Sequence, residues 1–269
     1  MKIGLALSGG GARGFAHIGV LKALLEHGFE PEMISGASAG GLVGALYASG
    51  HQPEEIMDIF AKAKIRTVFS LSTKLVGFLK MERIEKFLDF YLPHNSFEKL
   101  AIPLTINATN IQAGKIVYFQ AGELIRPLMA SCCIPVLFEP VRINGRMLVD
   151  GGILNNLPVE PLLGKCDFLV GVHTNPCGTT QPLPNMKTVM ERSLLLAIQN
   201  NVRERAVQCD FFVEPPELGR FTTMDAAKAR EIFDIGYQYV TGNIGRLHQA
   251  YEEKMTGRLE KPHPRPLSC

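Results

Sequence analysis

Apolar residues in this chain keep switching between two spacings. Residues 3–7 form a continuous apolar run of strand length, whereas residues 15–26 set Ile18, Leu21 and Leu25 on one helical face. Gly28 stops that helix. Met33 and Ile34 open a second short strand that ends at Ser35. The pattern then predicts helices over 42–48, 53–64, 81–91 and 123–131, with strands over 103–108 and 115–119. Asn144-Gly145 separates the apolar runs 141–143 and 146–149 and is a two-residue hairpin signal. Residues 167–172 read as a buried parallel strand. Long helices are expected over 187–205 and 225–251, with a strand over 211–213 between them and a loose tail over 257–269. Strand–helix alternation without repeat or linker predicts a single domain over 1–269, an α/β sandwich with a largely parallel sheet.

Bulk properties narrow the function classes. A chain of 269 residues, 46% hydrophobic and 20% charged, buries a sizeable core. A formal charge of +2 is too small to imply nucleic acid. No run is long and apolar enough for a transmembrane helix. The apolar start after Lys2 is too short for a signal peptide and enters a glycine turn. The expectation is a soluble, cytoplasmic protein, with peripheral membrane contact left open. Cysteines at 132, 133, 166, 177, 209 and 269 read as buried reduced thiols. The lack of H-E-x-x-H and of paired Cys/His spacings gives no metal site, and no cofactor is expected.

The chemistry concentrates at three glycine-rich turns. Gly36-Ala37-Ser38-Ala39-Gly40 is a G-x-S-x-G pentapeptide between the second strand and a helix. Such a turn projects the Ser38 hydroxyl into the open, and the following helix aims its first N–H groups, Ala39 included, at the same spot. Gly9, Gly11 and Gly14 spell G-x-G-x-x-G after the first strand. A dinucleotide site would need an acid at the end of the second strand. Glu30 and Glu32 stand at its beginning instead. The competing reading is an oxyanion hole, in which N–H groups of Gly9, Gly10 and Gly11 hold a developing negative charge beside Arg13. Asp150-Gly151-Gly152 closes the second hairpin strand, a placement that carries a carboxylate to a site floor and lets the two glycine N–H groups keep it ionised. Of the seven histidines, only His173 follows a buried strand and comes after Asp150. The residues thus leave two options, a Ser38–Asp150 dyad or a triad with His173.

Taken in order, Gly9-Gly10-Gly11-Ala12-Arg13-Gly14, the Ser38 pentapeptide and Asp150-Gly151-Gly152 resemble the patatin-like phospholipases. Ala16 to Leu21, Tyr47 to Gly50, Ala130-Ser131 with Pro135, and Asn155 with Pro158 fit the compact bacterial members. The resemblance covers about residues 3–160, with 161–256 completing the fold. It implies a three-layer α/β/α fold and hydrolysis of lipid acyl esters by a Ser–Asp dyad without a catalytic histidine. Ser38 would be the nucleophile, Asp150 its base, and Gly9 to Gly11 with Arg13 the oxyanion hole. His17 matches a structural position. An Asp base needs a dry site, because its ordinary pKa of ~3.9 is too low for work near neutrality. The rival classes are a non-catalytic regulatory protein on the same fold and a dinucleotide-binding protein. Residues 65–79, rich in Val, Leu and Phe with Lys74 among them, read as core packing or as a lipid-docking flap.

Overall fold

The computed structural model describes residues 1–62, 82–135, 138–176 and 185–257. The apolar segment 65–79 and nearly all of the tail fall outside these residues. An eight-stranded sheet runs through the molecule in the order β5-β6-β3-β2-β1-β7-β8, with β4 also paired to β3. The strands are β1 (Ile3–Leu7), β2 (Met33–Gly36), β3 (Leu104–Asn110), β4 (Lys115–Phe119), β5 (Val141–Ile143), β6 (Arg146–Asp150), β7 (Phe168–Val172) and β8 (Phe211–Val213). The β3-β2-β1-β7-β8 pairs are parallel, whereas β4, β5 and β6 pair antiparallel.

Alternation along β1 and β7 divides the core. Ile3, Leu5, Leu7, Phe168, Val170 and Val172 face a large cluster, formed with α1 (Phe15–Glu26), α2 (Ser38–Ala48), α3 (Pro53–Lys62), α4 (Glu82–Tyr91), α5 (Ile125–Ser131) and α7 (Ala229–Gly242). Ala6 and Leu169 face a smaller cluster of Leu157, Val159, Leu162, Val202 and Cys209, covered in part by α6 (Met186–Ala206). Helices on both faces of a mostly parallel sheet make the three-layer α/β/α architecture that the strand–helix alternation implies. Cys132, Cys133 and Cys209 are buried free thiols, as expected, whereas the free thiol Cys166 is only half-buried.

Two predicted helices change at their ends. The helix expected over 42–48 begins at Ser38 itself, with Ala37 extended as its cap. Gly40 lies inside its first turn, where a side chain would strike the Leu7 and Ser8 carbonyls at 2.5 Å. The helix expected over 225–251 is two helices, α7 and α8 (Ile244–Met255). Asn243 breaks it at φ −113°, ψ 12°, and its amide caps the Tyr239 carbonyl at 2.8 Å.

Helices α1 and α7 cross at two glycines. A Cβ on Gly19 would lie 2.0 Å from the Phe233 carbonyl oxygen, and one on Gly236 would lie 2.3 Å from that of Ala16. Gly19→Ala gains ~1 kcal/mol of helix propensity. Forcing the two backbones apart costs about 1–3 kcal/mol or more, so the clash wins. The expected outcome is a lower urea midpoint for Gly19→Ala, and an unchanged or higher midpoint would refute this account of the crossing.

Candidate active site

Strand register brings the serine and the carboxylate together. On β3, Ile106 pairs with Gly36 and Phe119, and Ala108 pairs with Asp150 and Val117. Strand β4 occupies one edge at both positions, so Gly36 and Asp150 share the other. β2 runs parallel to β3 and β6 antiparallel, so their carboxyl ends meet head-on across Asn107. The chain leaves β2 through Ala37 and turns at Ser38, whose φ of 49° is left-handed. A non-glycine residue there carries strain of order 1–2 kcal/mol. Its N–H donates to the Ser131 hydroxyl at 2.8 Å, which pins the turn.

Ser38 and Asp150 are both buried, and the Ser38 side chain lies near enough to the Asp150 carboxyl to pull its pKa down. Asp150 Oδ1 accepts from the Gly152 N–H at 2.8 Å, and the Asp150 N–H donates to the Cys133 carbonyl at 2.8 Å. Burial pushes the Asp150 carboxyl up from 3.8 to about 6, while Ser38 and the bond from Gly152 pull it back. Burial likewise holds the neighbouring Cys132 thiol well above its ordinary value, so it stays protonated. Asn107 steadies the loop from below, its Nδ2 donating to the Asn155 carbonyl at 2.7 Å and the Gly151 carbonyl at 3.4 Å.

Glycine turn and serine turn are packed on each other. Leu7 pairs with Gly36, and a Cβ on Gly9 would lie 3.1 Å from Ser38 Cβ. Gly14 backs onto Ala39 in the same way. Gly11 has φ +55°, and a Cβ there would meet the Thr223 carbonyl oxygen at 2.5 Å. The three glycine N–H groups are not equivalent. That of Gly9 donates to Asn156 Oδ1 at 3.1 Å, whose Nδ2 reaches back to the Gly9 carbonyl at 3.5 Å. The N–H groups of Gly10, Gly11 and Ala39 meet no acceptor among the described residues. Gly9 therefore holds the loop, whereas the N–H groups of Gly10, Gly11 and Ala39 are not used within it.

Arg13 does a different job from the one its charge suggests. Its Nε donates to the Phe221 carbonyl at 2.9 Å, its Nη2 to the same oxygen, and its Nη1 to Asn175 Oδ1 at 3.2 Å. The guanidinium ties the glycine turn to the segment after β8. His173 is held by another partner, its Nδ1 lying 2.7 Å from Glu214 Oε1. His17 bonds the Ser8 carbonyl through Nε2 at 2.7 Å, and burial lowers its pKa to about 4. No histidine bonds Ser38 or Asp150 among the described residues. Among them too, no cluster of His, Cys, Asp and Glu could hold a metal ion, and no helix is long and apolar enough to cross a membrane.

Asn156, Asn107 and Ser131 were not singled out by the sequence as parts of this site. The Asn155 amide donates to Tyr118 and Glu160. A local signal does mark Asn155-Asn156, since two amides just after Asp150-Gly151-Gly152 suit the straps that a buried loop needs.

Comparison with known proteins places this arrangement. The family model of the patatin-like phospholipases matches residues 5–163. An uncharacterized NTE family protein of Mycobacterium tuberculosis is 40% identical over 179 residues, which are 65% of this chain and 49% of that protein. Lysophospholipase NTE1 of Scheffersomyces stipitis is 28% identical over 273 residues, 88% of this chain and 17% of its own length. The chain thus spans about half of the mycobacterial relative and under a fifth of the fungal one. Human GIVD cytosolic phospholipase A2, in complex with methyl gamma-linolenyl fluorophosphonate and terbium chloride, aligns over 96% of this chain and 60% of that one, with 13% identity and a TM-score of 0.49.

Proposed function

Because the chain belongs to the patatin-like phospholipase family, we propose that it is a lipid acyl hydrolase of the phospholipase A or lysophospholipase type, working through an acyl-serine with a Ser38–Asp150 dyad. One observation carries the reading: Ser38, on its left-handed turn, neighbours a buried carboxylate whose pKa burial raises to about 6. That value suits a base near neutrality far better than an ordinary aspartate does.

The steps follow from the geometry. Ser38 Oγ attacks the ester carbonyl carbon as its proton passes to Asp150. The carbonyl oxygen gains the negative charge and takes hydrogen bonds from the N–H groups of Gly10, Gly11 and Ala39. The bond to the alcohol then breaks, and Asp150 returns the proton to the leaving oxygen. Water attacks the acyl-serine, gives its proton to Asp150, and the fatty acid leaves as Ser38 recovers its hydrogen. Gly9 and Arg13 position the donors, while Gly151 and Gly152 shape the loop that presents Asp150. The catalytic core is 3–160, and β7 and β8 complete its sheet beyond β1. Substrate is a lipid ester met at a membrane surface by peripheral contact in the cytoplasm.

The test is a panel of p-nitrophenyl esters, lysophospholipids and phospholipids, with fluorophosphonate labelling read by mass spectrometry. Label on Ser38 and turnover of at least one ester class are expected. A folded protein that takes no label and turns over no ester would instead be the non-catalytic rival.

Asn156→Ala tests the positioning of the donors. It leaves the Gly9 N–H buried without its acceptor, at a cost of about 1–3 kcal/mol. The freed loop misplaces Gly10 and Gly11, so kcat is expected to fall about 10²-fold, the size of one lost oxyanion donor, with KM little changed. A rise in KM alone would show that Asn156 serves binding instead.

A further inference from the structure

A narrow apolar slit opens beside the two donors Gly11 and Ala39. Leu42 and Val43 of α2, Phe15 of α1 and Phe60 of α3 supply its large lining side chains. No polar side chain lines it. Gly11 and Ala39 are the lining residues next to the serine turn, and Leu42 and Val43 follow Ala39 about one turn further along α2, so the slit leads away from the donors. Free volume inside is about 20 Å³, room for about one water-sized sphere. As it stands, the slit admits no chain beyond its mouth.

The walls differ in what holds them. Helix α2 lies against the sheet, where Gly44 packs on Ile34 and Leu104. Helix α1 is locked to α7 through Gly19 and Gly236. Phe60 sits in the last turn of α3, wedged edge-on to Phe15 at 5.7 Å and stacked on Phe87 at 6.1 Å. Its ring is one wall of the slit and also belongs to the large buried cluster.

We propose that this slit is the acyl-chain subsite and that Phe60 is its end-stop, which sets the length of acyl chain accepted. The inference rests on the acyl-hydrolase reading above. An ester carbon on Ser38, with its oxygen on Gly10, Gly11 and Ala39, has two remaining branches. The alcohol branch must reach solvent to leave, and the wholly apolar slit suits the acyl branch. Each methylene that finds a place in such a pocket is worth about tenfold or more in kcat/KM, and one that meets a wall forfeits that gain.

The test is the kcat/KM profile of the full chain over p-nitrophenyl acetate, butyrate, octanoate and laurate. Wild type should decline towards laurate. Phe60→Ala should raise the laurate-to-butyrate ratio about tenfold or more, Phe60→Leu by less, and Phe60→Trp should lower it. Thermal melting confirms the fold of each variant, and Phe60→Leu decides the case if Phe60→Ala does not fold. A ratio within about twofold of wild type in the folded Ala or Leu variant overturns the end-stop. Wild type that hydrolyses none of these esters, nor any lipid ester, overturns the hydrolase reading itself and the subsite with it.

Discussion

Ser38→Ala is expected to lower ester turnover by about 10⁴–10⁶, to the residual level that oxyanion donors and binding sustain without a nucleophile. The fold should remain. Ser38 sits at the start of α2 with its N–H fixed on Ser131, and neither feature needs the hydroxyl. Fluorophosphonate labelling should vanish in parallel. Ser38→Gly provides an internal check on the turn. Its left-handed φ of 49° costs a Cβ-bearing residue of order 1–2 kcal/mol and glycine almost nothing. Ser38→Gly should therefore be the more stable of the two inactive variants, by about 1 kcal/mol in the urea midpoint. Equal stability would mean that the turn stores no strain; retained turnover in Ser38→Ala would remove the nucleophile assignment altogether.

Asp150→Asn should cost about 10²–10⁴ in turnover and at the same time stabilise the protein. The carboxylate must be ionised to take a proton, so wild-type kcat/KM should rise with pH to a plateau through a pKa of about 6. The variant should lose that limb. Loss of turnover in His173→Ala to the same degree, with Asp150→Asn still active, would reinstate the triad. The stability effect has the opposite sign. Asp150 has a folded pKa of about 6 against an ordinary 3.8, so between these values the folded chain holds a proton that the unfolded chain releases. Its contribution is most favourable below pH ~4, falls as pH rises to ~6, and stays at a penalty above it. Asparagine removes the charge that must be buried, for a gain of up to about 3 kcal/mol at pH 8.

His17 leans the other way. Its folded pKa of about 4 lies below the ordinary 6.5, so its burial destabilises the protein as pH falls through that window. Between pH ~4 and ~6 the two slopes oppose each other in the wild type. Asp150→Asn should uncover the His17 slope, up to 1.36 kcal/mol per pH unit. Urea midpoints at acid and neutral pH, wild type against variant, read both effects. A difference that does not change across this window would mean that burial does not raise the Asp150 pKa.

Much of the site is written in short-range pattern. A serine between glycines after a short strand is a common pattern by itself, and it gains meaning only beside the glycine turn of Gly9 to Gly14 and the Asp150-Gly151-Gly152 turn. Asp150 was recognisable because a hairpin signal at Asn144-Gly145 leads into it. The break at Asn243 was harder to see, since apolar spacing continues across it from α7 into α8 and only the Asn side chain marks the stop. The head-on meeting of β2 and β6 had no local sign at all, for it depends on which residues of β3 each strand pairs with.

By itself, the chain determined the alternation of strands and helices, the three turns and the identities of Ser38 and Asp150. These are consequences of backbone preference and apolar spacing over a few residues, which neighbours in sequence settle among themselves. Tertiary structure decided which groups are spoken for. Register put Asp150 against Ser38 and in the dry place that raises its pKa. Packing gave the Gly9 N–H to Asn156, the Arg13 guanidinium to Phe221 and His173 to Glu214, and left the N–H groups of Gly10, Gly11 and Ala39 for the proposed oxyanion hole. A buried polar group must find a partner, and with partners up to 208 residues away only the folded chain decides which one it finds.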